Sequence, residues 1–208
     1  MNPMSSDLEI RNRILETARE QFFKFGFTRV TMDEIASHLG MSKKTLYKFF
    51  PGKDDLLREV VKLNMREIER GIDAIVQSEK GGFVEKLKEL MTFLAMRLAK
   101  IGPLFMQDLQ RNAPEIWKEI EAFRRQKAMR LFGDLTDEGI RKGVFRGDLN
   151  PQLLTIMYVS LIQSILNAEV LSQLPLSAAQ AFEAIIQVLF EGILTDEMRA
   201  NYAAHQGR

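Results

Sequence analysis

Residues 31–57 read TMDEIASHLGMSKKTLYKFFPGKDDLL. Thr31-Met-Asp-Glu34 has the S/T-x-x-E form of a capping box, in which the hydroxyl satisfies one orphan amide of a helix start and the carboxylate reaches back to another. Asp33 and Glu34 also suit the positive end of a helix dipole. Ile35, Ala36 and Leu39 form a short apolar stripe, Gly40 interrupts it, and Ser42 offers a second N-cap. Two short capped helices across a glycine-containing turn describe a helix-turn-helix.

The second of these helices advances about 100° per residue. With Leu46 at zero, Phe49 and Phe50 fall within about 60° of it and face the core, while Lys44 and Lys48 lie roughly opposite. Thr45 and Tyr47 flank the two lysines, and Lys43 stands at the helix start. Such a face suits a recognition helix in a DNA major groove, with its N-terminal turn nearest the bases. Lysine ammonium groups meet phosphates or the O6/N7 edge of guanine, and Thr45 or Tyr47 can meet a thymine methyl or a phosphate. Lys53 opens the next helix, where free amides and the dipole favour a phosphate.

The charge distribution agrees. No acidic residue occurs from Ile35 to Lys53. Residues 1–53 hold nine Lys/Arg against six Asp/Glu, a net +3, in a chain whose net charge is +1. The asymmetry is small and by itself only permits a polyanionic partner.

Residues 14–57 resemble the N-terminal DNA-binding domain of the TetR family, bacterial transcriptional regulators similar to the tetracycline repressor. The resemblance is carried by Ile14, Ala18, Phe22, Gly26-Phe27, Val30-Thr31-Met32, Ile35-Ala36, Gly40-Met41-Ser42, Thr45-Leu46-Tyr47, Phe50, Lys53 and Leu56-Leu57. It implies DNA contacts from Thr31, Ser42, Lys43, Lys44, Thr45, Tyr47, Lys48 and Lys53. Family members often carry His or Tyr just before the last Phe of this motif. Here Phe49 stands there, without the polar atom those residues offer to the DNA backbone.

The remaining pattern is helical nearly throughout. Ile14, Leu15, Ala18, Phe22 and Phe25 share one face, and Gly26 fits a C′ position followed by apolar Phe27. A long helix is expected from past Pro51 to Gly81-Gly82, another over 83–100, a short one over 104–110, and a long one from Pro114 to about Lys142. Asn150 caps a helix with Pro151 at N1, and Ser177 opens the last main helix. The expectation is an all-α chain of about nine helices. A helix-turn-helix domain over 1–53 precedes a larger helical effector-binding and dimerisation domain over 54–208.

A single helix-turn-helix offers little surface, and twofold dimers dock two recognition helices about one DNA turn apart. The helix over 153–171, uncharged as far as Ala168, and the apolar seam over 182–194 suit a four-helix dimer interface, with Ile156, Ser160, Gln163, Ser164, Asn167, Phe182, Ile186, Leu189, Phe190 and Ile193 as its residues. Between Phe83 and Phe132 large flexible and aromatic groups are dense. Met91, Met96, Phe105, Met106, Trp117 and Phe123 are the residues expected to line a pocket for an apolar or aromatic effector, an expectation that rests on the resemblance.

Composition narrows the alternatives. The chain has 208 residues, 46% hydrophobic and 27% charged, with no cysteine and only two histidines. Thiolate metal sites and cysteine nucleophiles are excluded, and a reducing cytoplasm is the expected setting. No apolar h-region opens the chain, and the uncharged stretch 149–168 carries too many polar residues for a lipid-facing helix. G-x-S-x-G, H-E-x-x-H and P-loop patterns are absent, and Glu34 with His38 at i, i+4 lacks further metal ligands. Neither an enzyme, a metal site nor a cofactor is expected. The rival reading is a helical ligand-binding or adaptor protein that does not use DNA.

Overall fold

The computed structural model describes residues 3–165 and 168–198; ten helices are bounded within them, and residues 196–198 are helical as well. These are α1 (Pro3–Phe25), α2 (Met32–His38), α3 (Lys43–Phe49), α4 (Lys53–Gln77), α5 (Phe83–Ala99), α6 (Pro103–Asn112), α7 (Pro114–Arg141), α8 (Pro151–Ile165), α9 (Ala168–Ser172) and α10 (Ala178–Ile193). The all-α expectation holds, and the short α9 is an addition to it. No described helix is long and apolar enough to cross a membrane.

The chain divides into two compact units, and the division is not at 53/54. Residues 1–73 and 100–118 form the first unit; 74–99 and 119–208 form the second. The sequence boundary fails because α4 supplies Leu56, Leu57 and Val60, all fully buried, to the first core. It fails again because α6, far along the chain, packs on α1.

In the first unit α1 buries Ile14, Leu15, Ala18 and Phe22. Phe25, expected on that face, is 43% exposed. The helix ends there: Gly26 adopts φ +86°, a left-handed conformation costly for other residues, and donates to the Phe22 carbonyl at 2.9 Å. That turn brings Phe27 back to the core, edge-on to Phe22 at 5.7 Å between ring centroids. Two ion pairs register α1 on α4, Arg11–Glu59 and Arg19–Glu67, each at 2.8 Å. The shared offset of 48 residues means that the two helices run in the same direction.

In the second unit α5 packs on α10, with α8 also against α10. Phe83, Leu87, Leu90, Met91 and Ala95 of α5 are buried, as are Ala181, Phe182, Ile185 and Ile186 of α10. After α7 the loop pairs with the end of α10. Arg146 donates to the Ile193 carbonyl at 2.9 Å and Thr195 to that of Val144 at 3.2 Å. This seats the Phe145 ring against Gly139 of α7, where a β-carbon would lie 2.2 Å from a ring atom. Gly133, six residues earlier in the same helix, has open space at that position.

These two glycines therefore predict opposite outcomes. Gly139→Ala overpacks a buried ring and is expected to cost about 1–3 kcal/mol. Gly133→Ala removes backbone entropy from the unfolded chain and is expected to gain roughly 0.5–1 kcal/mol. Thermal and urea unfolding of the two variants check both signs.

Candidate nucleic-acid interface

Both caps form as the sequence predicts. Thr31 Oγ1 accepts from the Glu34 amide at 3.2 Å, and Glu34 Oε2 accepts from the Thr31 amide at 2.7 Å, closing the capping box on α2. The backbone hydrogen bond from Thr31, followed by that from its hydroxyl, holds the Glu34 carboxyl below its ordinary value. Gly40 takes φ +64° and turns the chain from α2 into α3. Ser42 Oγ then accepts from the Thr45 amide at 3.1 Å and shares a hydrogen bond with the Thr45 hydroxyl at 2.9 Å. Both hydroxyls are thus engaged in shaping the start of α3.

The wheel is right for Leu46, fully buried, and for Lys44, Tyr47 and Lys48, all exposed. It misplaces Phe49, which is half-buried, because α3 ends there. Phe50 leaves the helix with extended backbone (φ −136°, ψ 107°) and takes the core position itself. The Arg11 guanidinium lies over its ring, 5.2 Å from the centroid.

The four lysines, alike in sequence, have unlike surroundings. Lys43 forms an ion pair with Asp33 of α2. Lys48 stands 3.9 Å from Asp7 and 69% exposed, a loose and screened contact. Lys44 is exposed at the first turn of α3 and has no ion pair among the described residues. Lys53 turns towards its own fold: its ammonium donates to the Thr28 carbonyl at 3.1 Å and lies 4.6 Å from the Phe27 ring centroid. Partial burial lowers its pKa against the opposing pull of Asp108, Asp54 and Glu34. The expected free phosphate clamp is instead a strap on the α1–α2 turn.

That turn is held a second time, by residues to which no local pattern points. Asp108 Oδ2 of α6 accepts from the Thr28 amide at 2.9 Å. The Asn112 side-chain amide donates to the Thr28 hydroxyl at 3.1 Å and to Asp108 at 3.3 Å. The Gly102 amide at the start of α6 donates to the Phe23 carbonyl at 3.1 Å, and the Phe23 and Phe105 rings meet at 4.8 Å.

Residues 14–60 match the family model for bacterial regulatory proteins of the tetR family. HTH-type transcriptional regulator YvaF of Bacillus subtilis is 28% identical, over 89% of this chain and 96% of its own length. The fold is that of a TetR-family regulator from Marinobacter aquaeolei, with TM-score 0.71 and 17% identity over 100% of this chain and 98% of that one. It is also that of the ketosteroid transcriptional regulator KstR2 of Mycobacterium tuberculosis, with TM-score 0.59 and 22% identity over 89% and 95%. Residues 14–60 thus carry the DNA-binding region of the tetR family, and the chain as a whole is similar to HTH-type transcriptional regulators. Members of the family bind DNA, act as dimers and bind small-molecule ligands.

The expected pocket residues are shared between the two units. Phe105 and Met106 are buried in the first unit, where Phe105 serves as the Phe23 partner, and Trp117 also belongs to that unit. In the second unit Met91 is core, Phe123 is half-buried beneath Lys127, and Met96 is 61% exposed. A methionine-aromatic cluster in sequence marks core and surface equally, so density alone misleads. The expected interface is likewise split. Ile156, Ser160 and Ser164 are exposed and Gln163 is half-buried. Phe182 and Ile186 are buried in their own unit, and Leu189 and Ile193 line a cleft there, so they form no outer face. Asn167 lies outside the described residues, as does the side chain of Phe190. The apolar groups that do face outward are Leu153, Ile156, Met157 and Leu161 of α8 and Val188 of α10.

Acid sensitivity follows from two carboxylates. Glu34 and Glu59 both sit below the ordinary carboxyl value of 4.5, Glu59 because Arg11 donates to it. A carboxylate depressed by folding confers stability that is complete above pH 4.5 and is lost as pH falls through the lower folded value. Glu59→Gln is expected to lower stability at about pH 7 and to flatten the decline below the ordinary carboxyl pKa. Denaturation curves followed by far-UV circular dichroism across that range test it. Parallel curves for variant and parent would show that the Arg11–Glu59 pair contributes nothing.

Proposed function

We propose that two copies of this regulator bind a near-palindromic operator, each laying α3 into the major groove, and repress transcription until a small apolar or aromatic effector releases them. One observation carries the reading. Leu46 anchors α3 from beneath while Lys44, Tyr47 and Lys48 stand outward from a helix whose first turn is capped and open to solvent. Lys44 at the N-terminal end is the residue best placed for base edges, and Lys48 one turn on for the phosphate backbone.

Pairing is supported by the outward apolar face of the second unit. Val188 is 72% exposed, Leu153 56% and Ile156 52%, apolar exposure high for side chains meant for water. Two recognition helices that read one face of an operator must lie roughly 34–36 Å apart, one DNA turn. An effector acts only if it prefers the conformation that does not fit this spacing. Helix α4 runs unbroken from Lys53 to Gln77 and so carries displacement from residues 74–77 to the Thr28 strap. A fellow of this fold is named for ketosteroids, which supports a small-molecule effector here.

Genomic fragments retained by the protein would yield the operator, and fluorescence anisotropy on it tests the reading. Lys44→Ala is expected to weaken specific binding about tenfold, and Lys44→Ala with Lys48→Ala to abolish it without loss of helicity. Lys43→Ala, whose partner is Asp33, is expected to matter less. Each lost phosphate contact lowers the slope of log affinity on log salt by about 0.9. Equal affinities for all variants, or binding with no salt dependence, would remove α3 from the interface. Val188→Glu with Ile156→Glu is expected to shift the protein to monomer in sedimentation equilibrium while leaving its helices intact. A parent protein that is monomeric at micromolar concentration would refute the pairing.

A further inference from the structure

The lysines at the start of α3 stand where a helix does not favour them. Lys43 and Lys44 are its first two residues, at the positive end of the helix dipole, and no acidic residue occupies its first turn. A cation at that end loses stability rather than adding it, so neither lysine is explained by the fold. Both are exposed, yet only one is met by a carboxylate. Lys43 forms an ion pair with Asp33, whereas Lys44 has none among the described residues.

The carboxylate comes from the preceding helix, which packs directly on α3. Asp33 is the second residue of α2, where the capping box fixes the first turn, and Ser42 fixes that of α3. The two side chains therefore start from anchored backbone. Asp33 takes no part in the capping box, which Thr31 and Glu34 close by themselves. The pair stays open to water, with Lys43 60% and Asp33 54% exposed. An exposed pair of this kind is worth a factor of about five at most. It can be exchanged for a phosphate, but it biases the lysine against one. The Lys48–Asp7 approach at 3.9 Å is looser still.

We propose that Asp33 is a specificity-determining residue, which withholds Lys43 from the DNA backbone and so weakens binding to non-operator DNA more than binding to the operator. This rests on the reading of α3 as the DNA-reading helix. Non-operator binding is almost wholly counterion release by cations on phosphates, and a cation already paired with a carboxylate contributes less to it. On such DNA a protein slides until its free cations find phosphates. At the operator Lys44 fixes the register through base edges, and Lys43 meets only the phosphates that this register brings to it. The acid beside the reading helix is thus the repulsive element by which one partner is preferred over many competitors.

Asp33→Asn keeps the shape of the side chain and removes its charge. Parent, Asp33→Asn, Lys43→Ala and the double variant are titrated by fluorescence anisotropy against the selected operator and against a duplex of equal length with the sequence scrambled, from about 50 to 200 mM salt. Asp33→Asn is expected to bind the scrambled duplex about three- to fivefold more tightly at the low-salt end and to steepen its slope of log affinity on log salt by about 0.9. Its gain on the operator is expected to be smaller, so the ratio of the two affinities falls. Where Lys43 is already Ala, Asp33→Asn is expected to leave both affinities near those of Lys43→Ala alone. A gain of affinity cannot come from unfolding, so the stability of the variant does not confound it. Equal gains on the two duplexes, or a gain that persists without Lys43, would make Asp33 a generic negative charge and overturn the proposal. So would unchanged binding to the scrambled duplex, since Asp33 would then withhold nothing. A parent that binds neither duplex overturns the reading of α3 itself, and the role of Asp33 with it.

Discussion

The peptide at Thr28 is held from two directions in the chain. Its carbonyl accepts from Lys53 at the start of α4, its amide donates to Asp108 of α6, and its hydroxyl accepts from Asn112 of the same helix. Thr28 lies in the turn between α1 and α2, two residues after the left-handed Gly26. The orientation of α2, and through Gly40 that of α3, is inherited from this turn. A recognition helix of seven residues has little rigidity of its own and must be positioned by what it packs on. Here the positioning residues come from sequence regions 25 and 80 positions away. The space beside Gly26 is equally constrained, since a β-carbon there would lie 2.5 Å from the Asp108 carboxylate. Glycine at this position serves both the backbone turn and the close approach of α6.

What could be read from sequence follows from how local each determinant is. The capping box at Thr31, the serine cap at Ser42 and the glycine turns at Gly26 and Gly40 depend on neighbours within three or four residues, and all form as expected. The outward placement of Lys44 and Lys48 depends only on helical period and one buried anchor, Leu46. Phe49 departs from its wheel position for a local reason too, because a wheel assumes that the helix continues and α3 stops. The allegiance of α6 has no such signal. Asp108 and Asn112 are ordinary surface residues until a turn some 80 residues earlier is brought to them.

Charge shows the same divide. Sequence supplies four equivalent lysines, but tertiary structure supplies their acids. Asp33 takes Lys43, Asp7 approaches Lys48, and the carbonyl of Thr28 takes Lys53. An acid-free span therefore does not equal an acid-free surface, since α1 and α2 return carboxylates to it. Counterion release by DNA requires cations that are not already neutralised. On that ground Lys44 carries more of the expected interaction than any count of lysines suggests.

The seam of α10 shows why an apolar stripe cannot by itself be assigned to an interface. Core and interface draw on the same side chains, and a 16-residue helix has room for only one continuous apolar face against its own unit. Phe182 and Ile186 are spent there against α5 and α8. What remains for a partner is the residue that breaks the polar pattern on the far side, Val188, together with the exposed apolar positions of α8. Ser160 and Ser164 accompany these positions on α8. Small hydroxyl residues permit close helix approach while adding little hydrophobic area, so the stability of any pair formed through this face depends chiefly on the few large side chains around them.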